Sequence, residues 1–194
     1  MKKTKLAAYL TPIVVLMFVP YFTGISMQAD KKDFGNQKTA DMLFAVLQAD
    51  RAVYSKYVFD RLTREDAVIK ASMHWRDDKA LPLPSQVFKL GSSELAHKVT
   101  DLTYSLESFW AINKNNFPQS DKEREGLIYV LKNPGKNYYT TVELDGVKYF
   151  MAVYPDYATL PGCVQCHNSH EDSPKRDFQV GDMMGAVVLR FPQS

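Results

Sequence analysis

Between residues 39 and 62 apolar side chains return at helical intervals. Leu43, Leu47, Tyr54, Val58 and Leu62 fall near a 3.6-residue period, while Asp41, Asp50, Arg51, Lys56 and Asp60 take other faces. The spacing predicts a long amphipathic helix. Thr63-Arg-Glu-Asp then reads as a second helix start, a threonine cap followed by acids in the first turn, with the helix running to about Trp75. Leu81-Pro-Leu-Pro cannot be helical, because each proline pushes its predecessor toward extended geometry. In the second half the period shortens to two. Residues 138–144 and 147–154 flank Asp145-Gly146, a strong hairpin signal. Tyr149, Met151 and Val153 share one face of that hairpin, and Phe150, Ala152 and Tyr154 the other. Residues 185–191 predict a further short strand, and 104–110 and 127–131 are open to either strand or helix. A helical pair followed by a largely antiparallel sheet defines an α+β domain.

The N-terminus has its own pattern. Lys2, Lys3 and Lys5 precede an apolar run over 6–27, about the length of a bilayer-spanning helix. No Ala-x-Ala cleavage pattern follows, which favours an uncleaved anchor over a signal peptide, although Thr11, Pro12 and Pro20 interrupt the run. The positive-inside rule keeps the three lysines in the cytoplasm and places the rest outside. The expected setting is the bacterial inner membrane with the domain facing the periplasm, or a periplasmic protein if the segment is cleaved. The expected organisation is an anchor or signal over 1–29, a polar linker over 30–38 and one domain over 39–194. The formal charge of +2 includes those three lysines. Without them 21 basic residues face 22 acidic ones, so no basic face calls for nucleic acid.

The candidate chemistry sits at 163–167, Cys-Val-Gln-Cys-His, which holds the only two cysteines of the chain. Two thiols two residues apart, followed at once by histidine, form the attachment signature of a c-type haem. Each thiol adds to one vinyl group, and the adjacent imidazole is carried under the ring as the proximal iron ligand. Cys163 and Cys166 would thus hold one covalent haem c, and His167 its iron. A zinc site built from Cys163, Cys166, His167 and His170 would have to close a tetrahedron within eight residues. A thioredoxin-like dithiol calls for a strand before the motif and a helix after it. A plain disulfide leaves the histidine without a role. The predicted sheet places the motif on a haem loop just before the last strand. Small all-helical cytochromes, by contrast, usually carry this motif near the N-terminus.

The stretch CVQCHNSHEDSPKRDFQVGDMMGAVV resembles the C-terminal signature of a bacterial single-haem family with a PAS-like haem-binding domain, largely of unassigned role. Its elements are CxxCHNxH, then DSPK, then a GDxxG turn into the last strand. The blocks KALPLPSQVF and SLESFWAINKNNFP agree with it. The resemblance implies a PAS-like fold and a haem-bearing module of the kind that also serves as the exported sensor part of larger receptors.

Both cysteines being committed to the ring, the second axial ligand must come from elsewhere. His74, beside Trp75 and before the proline turn, is the candidate distal ligand, with a methionine, water or an empty site as the alternatives, while Met73 shares a helical face with Ile69 and reads as core. His97 lies in a polar segment, and His170 is too near His167 to reach the opposite face. Pro82, Pro84, Phe88, Tyr138, Tyr139 and Tyr149 are candidates for the pocket wall, and Arg76, Lys175 and Arg176 for the propionates. The chain is expected to be an electron-transfer cytochrome working with a redox protein partner. The alternative is a sensor of redox state or of a small gas ligand, acting through a separate protein. No catalytic residue is expected, since His74 alone could serve as a distal acid or base.

Overall fold

The computed structural model describes residues 20–193, with side chains from Phe34 onward. The chain divides after Phe34, and Gly35–Ser194 forms the folded domain. Helix α1 (Pro20–Val53) runs through residues 30–38, so the expected linker is helical backbone instead. Among the described residues no helix is long and apolar enough to cross a membrane. The anchor expected over 6–27 falls largely outside those residues.

Four antiparallel strands follow: β1 (Thr103–Glu107), β2 (Tyr138–Leu144), β3 (Val147–Tyr157) and β4 (Met183–Pro192), in the order β1-β4-β3-β2. The Asp145-Gly146 turn closes the β2–β3 hairpin with both residues at positive φ, 51° and 78°. That conformation twists with the strands, and glycine enters it without strain. The period-two pattern divides the core as the sequence predicts. Phe150, Ala152 and Tyr154 join Val187 and Leu189 under α1 and helix α2 (Pro84–Ala96). Met151, Val153, Ala186 and Val188 pack on the other face, against Leu127 and Val130 of helix α3 (Asp121–Lys132).

The Asp41 carboxylate of helix α1 ties it to two strands of the sheet. Asp41 Oδ1 accepts hydrogen bonds from the hydroxyls of both Tyr139 and Tyr154, each at 2.8 Å. Phe44 stacks on the Tyr154 ring at 4.0 Å. Segment 127–131 is helical because Ser120 and Glu123 form a reciprocal cap ahead of it. Glu123 is buried, and both of its oxygens have partners: Oε2 accepts from the Gln119 and Ser120 amides, and Oε1 pairs with Arg190 Nη1 at 2.6 Å.

The helix expected over 63–75 does not form. Residues Tyr54–Glu65 continue from α1 as a wide π-helical stretch. Thr63 does not cap a new helix; its hydroxyl donates back to the Phe59 carbonyl at 2.7 Å. Beyond Glu65 the chain makes a loop closed by a parallel bridge between Ala71 and Leu81. The helix α2 then begins at Pro84, where a missing amide hydrogen costs nothing.

Beside Glu123 lies a second buried acid with fewer partners. Glu107 Oε1 accepts from Ser105 at 2.8 Å, but Oε2 has no partner and Arg190 Nη2 is 4.0 Å away from Oε1. Burial, and then the charge of Glu123, push its carboxyl up to about 7, with Ser105 and Arg190 opposing. The folded state therefore keeps a proton that the unfolded chain releases near the ordinary value of 4.5. Stability should fall as pH rises between those two values and flatten above them. Glu107→Gln should remove this slope, gaining about 1–3 kcal/mol over the wild type between pH 5 and pH 8 in urea melts. Parallel pH profiles for the two proteins would refute the assignment.

Candidate functional site

The Cys-x-x-Cys-His motif, expected on a loop, lies instead on a short helix, α4 (Pro161–Ser169), between β3 and β4. Leu160 enters it extended and Pro161 occupies its first turn. At helical spacing Cys163, Cys166 and His167 are i, i+3 and i+4, so all three lie on one face. That face forms one wall of a half-open cavity of about 240 Å³. Other walls come from the π-helical stretch (Phe59), the loop before α2 (Met73, Leu83), β1 (Leu106) and the segment after it (Ala111, Ile112). The lining is mainly apolar with a few polar groups, the usual character of a cofactor site.

Both thiols are unpaired and half-buried. Burial, and then the neighbouring Cys163, raise the Cys166 thiol above its ordinary range. Burial lowers His167, with His170 adding to that and Asp156 opposing it, so the ring is held as neutral imidazole. Its Nδ1 is buried without a hydrogen-bond partner. Such an orphan is rare among buried polar groups and points to a missing partner.

The segment after the motif holds this face in place. Asn168 makes a reciprocal pair with Phe178: Nδ2 donates to the Phe178 carbonyl at 2.9 Å, and Oδ1 accepts its amide at 3.0 Å. The Phe178 ring stands edge-on to His167 at 5.9 Å and to Trp110 at 5.8 Å. It also packs with Ala158 and Met184 into a small cluster that touches Cys163. Ser173 is buried and donates to the Lys175 carbonyl, and Lys175 Nζ lies 4.8 Å from the Phe178 ring centre. Gly181 and Asp182 tie the turn to Ala158 by two backbone hydrogen bonds. At Gly185 a Cβ would come within 2.5 Å of the Glu107 carbonyl, so β4 can approach β1 only with glycine there.

His74 is exposed, its amide donates to Ser72 Oγ at 3.0 Å, and it is not on the cavity wall. Its neighbour Met73 is on the wall. The Asp172 amide donates to His170 Nδ1, so the proton lies on Nε2, which points at Met73 Sδ 3.1 Å away. Of the expected wall residues Pro84 lines the cavity, while Phe88 packs in the sheet core and the three tyrosines lie elsewhere. Arg76 stacks on Trp75, Lys175 pairs with Asp177, and Arg176 bonds the Glu171 carbonyl. The cations on the wall are Arg51, paired with Asp156 at 2.6 Å, and Lys89. Neither stood out in the sequence, because both sit among ordinary helical surface positions. Among the described residues no three His, Cys, Asp or Glu side chains gather as a metal cluster, so the four-ligand zinc arrangement is not formed.

The family profile of the Tll0287-like proteins matches residues 33–192, and the chain belongs to the Tll0287-like family. Among solved structures it is similar to the cyanobacterial haem-protein Tll0287, with 16% identity over 58% of this chain and 73% of that one and a TM-score of 0.45. No functionally curated protein matches.

Asn168→Ala should leave the Phe178 amide unsatisfied and cost about 1–3 kcal/mol, read as a shifted urea midpoint at unchanged slope. Gly185→Ala should cost at least as much, since the clash is with main chain that cannot yield. A neutral effect at either position would contradict the packing described.

Proposed function

We propose that this protein is a monohaem c-type cytochrome of PAS-like build that transfers electrons, with Cys163 and Cys166 as thioether anchors and His167 as proximal iron ligand. The observation that carries the reading is the meeting, on one cavity wall, of two unpaired thiols and an imidazole whose buried Nδ1 lacks a partner. A covalently held haem fits that donor set. The helical face offers both sulfurs together, the neutral ring offers a lone pair, and the surrounding wall is apolar. Bound there, the haem would supply one-electron chemistry at iron. Arg51 and Lys89 are the wall cations suited to its propionates. Membership of the Tll0287-like family, whose namesake is a haem-protein, supports haem as the cofactor.

Met73 replaces His74 as the candidate second iron ligand, because it lines the cavity wall and His74 does not. Were Met73 and His167 both to hold the iron, no position would be left for a gas, which favours electron transfer over sensing. The membrane tether over 6–27, the periplasmic setting and a redox protein partner belong to the same proposal. The export reading rests on the charge and hydropathy of the N-terminus.

Denaturing gels stained for haem should show a band at the mass of the chain, lost in Cys163→Ala/Cys166→Ala. Complete extraction of haem from the wild type by acidified organic solvent would sink the covalent reading. Met73→Ala should turn a low-spin spectrum partly high-spin and admit carbon monoxide, while His74→Ala leaves it unchanged. The opposite pattern would restore His74 as the ligand.

A further inference from the structure

We propose that the outward face of α1 is a self-association surface, on which a second copy of this chain packs as a parallel two-stranded coiled coil. The inward face of the helix is fully used: Ala40, Leu43, Phe44 and Leu47 lie on the sheet. A surface helix should turn charged side chains outward. This one exposes Met42, Val46 and Val53 at 55%, 60% and 55%, with Ala45, Ala49 and Ala52 exposed among them. Between Met42 and Val53 the only exposed charge is Asp50. A helix apolar on both faces is one built to be covered on both, and isolated exposed residues would not form such a strip.

The spacing says what covers it. Met42, Val46, Ala49 and Val53 are separated by four, three and four residues, a seven-residue period. That period keeps a narrow seam on another helix, whereas a lipid surface or a sheet needs only a broad 3.6-period stripe. In this register Thr39, Val46 and Val53 occupy the a positions and Met42 and Ala49 the d positions. All three a residues are β-branched, the choice that favours two parallel strands. The Thr39 hydroxyl is spent on the Gly35 carbonyl at 3.0 Å, which leaves its methyl group for the seam. The flanking residues agree with pairing to an identical copy. Ala45 and Ala52 allow close approach, and Asp50 would face Ala45 of the second copy, so no like charges meet. At the following d position two Lys56 side chains would oppose each other, and α1 has by then passed into the π-helical stretch. The seam therefore ends at Val53 and spans about two heptads, which predicts a reversible dimer rather than an obligate one.

Site-directed cross-linking of the full chain tests this. Ala49→Cys sits on the seam and should form a disulfide-linked dimer on the order of tenfold faster than Glu143→Cys on the exposed edge strand, because parallel pairing places each seam residue opposite its copy. Adding Val46→Glu should return the rate to that of the control with circular dichroism unchanged. Equal rates for the two cysteine variants, or cross-linking that survives Val46→Glu, would overturn the proposal. So would a monomer whose Val46-dependent binding is to anionic lipid vesicles. Both variants carry the same Cys163 and Cys166, so any cross-linking through those thiols is common to the two and the difference in rate stands apart from the function proposed above.

Discussion

The arrangement of the site depends on the reciprocal pair between the Asn168 side chain and the Phe178 main chain. A single amide satisfies one donor and one acceptor on an irregular segment that has no sheet partner there. Its two bonds also fix the rotation of α4 about its own axis. That rotation decides whether Cys163, Cys166 and His167 face the cavity or solvent. The Phe178 ring, placed by the same pair, then closes the back of the His167 imidazole and of the Trp110 indole. Cavity wall, supporting cluster and the entry to β4 all follow from one side chain immediately after the motif.

The second supporting layer is electrostatic. Arg190 reaches from β4 between Glu123 and Glu107, and the two carboxylates share it unequally. Glu123 takes the close contact and the helix cap, so it is fully satisfied. Glu107 is left with Ser105 and one bare oxygen. Since Gly185 brings β4 against the main chain of that same Glu107, the underserved acid sits at a close approach of the two strands. A buried ion pair is weak evidence for stability. Here it pins α3 to the sheet and leaves one acid poorly solvated.

Local signals were readable wherever both partners lie close in sequence. The Asp145-Gly146 hairpin, its two faces and the last strand follow from spacing alone. The course of residues 63–83 does not. Thr63 looks like a cap, yet its hydroxyl has the Phe59 carbonyl within reach, and the helix simply widens through it. The loop beyond is held by bonds that join Lys70 and Ser72 to Leu81, and Gln86 to Met73, which no periodicity encodes. The consequence is a displacement of one residue: Met73 rather than His74 reaches the wall. Segment 127–131 was ambiguous because it is apolar and includes β-branched residues, and the deciding cap lies several residues upstream. Ser173, Gly181 and Gly185 show that the stretch beyond the histidine meets packing and turn requirements.

The helical display of Cys163 and Cys166 also bears on how the apoprotein survives oxidation. Residues three apart on a helix keep their Cβ atoms roughly 5–6 Å apart, whereas a disulfide wants about 3.5–4.5 Å. Once α4 has formed, the two sulfurs must distort its first turn to bond to each other. In the unfolded chain that restraint is absent, and a thiol oxidant can join them readily. The helix is thus a kinetic shield as well as a scaffold, and the vulnerable interval is the time the segment spends unfolded.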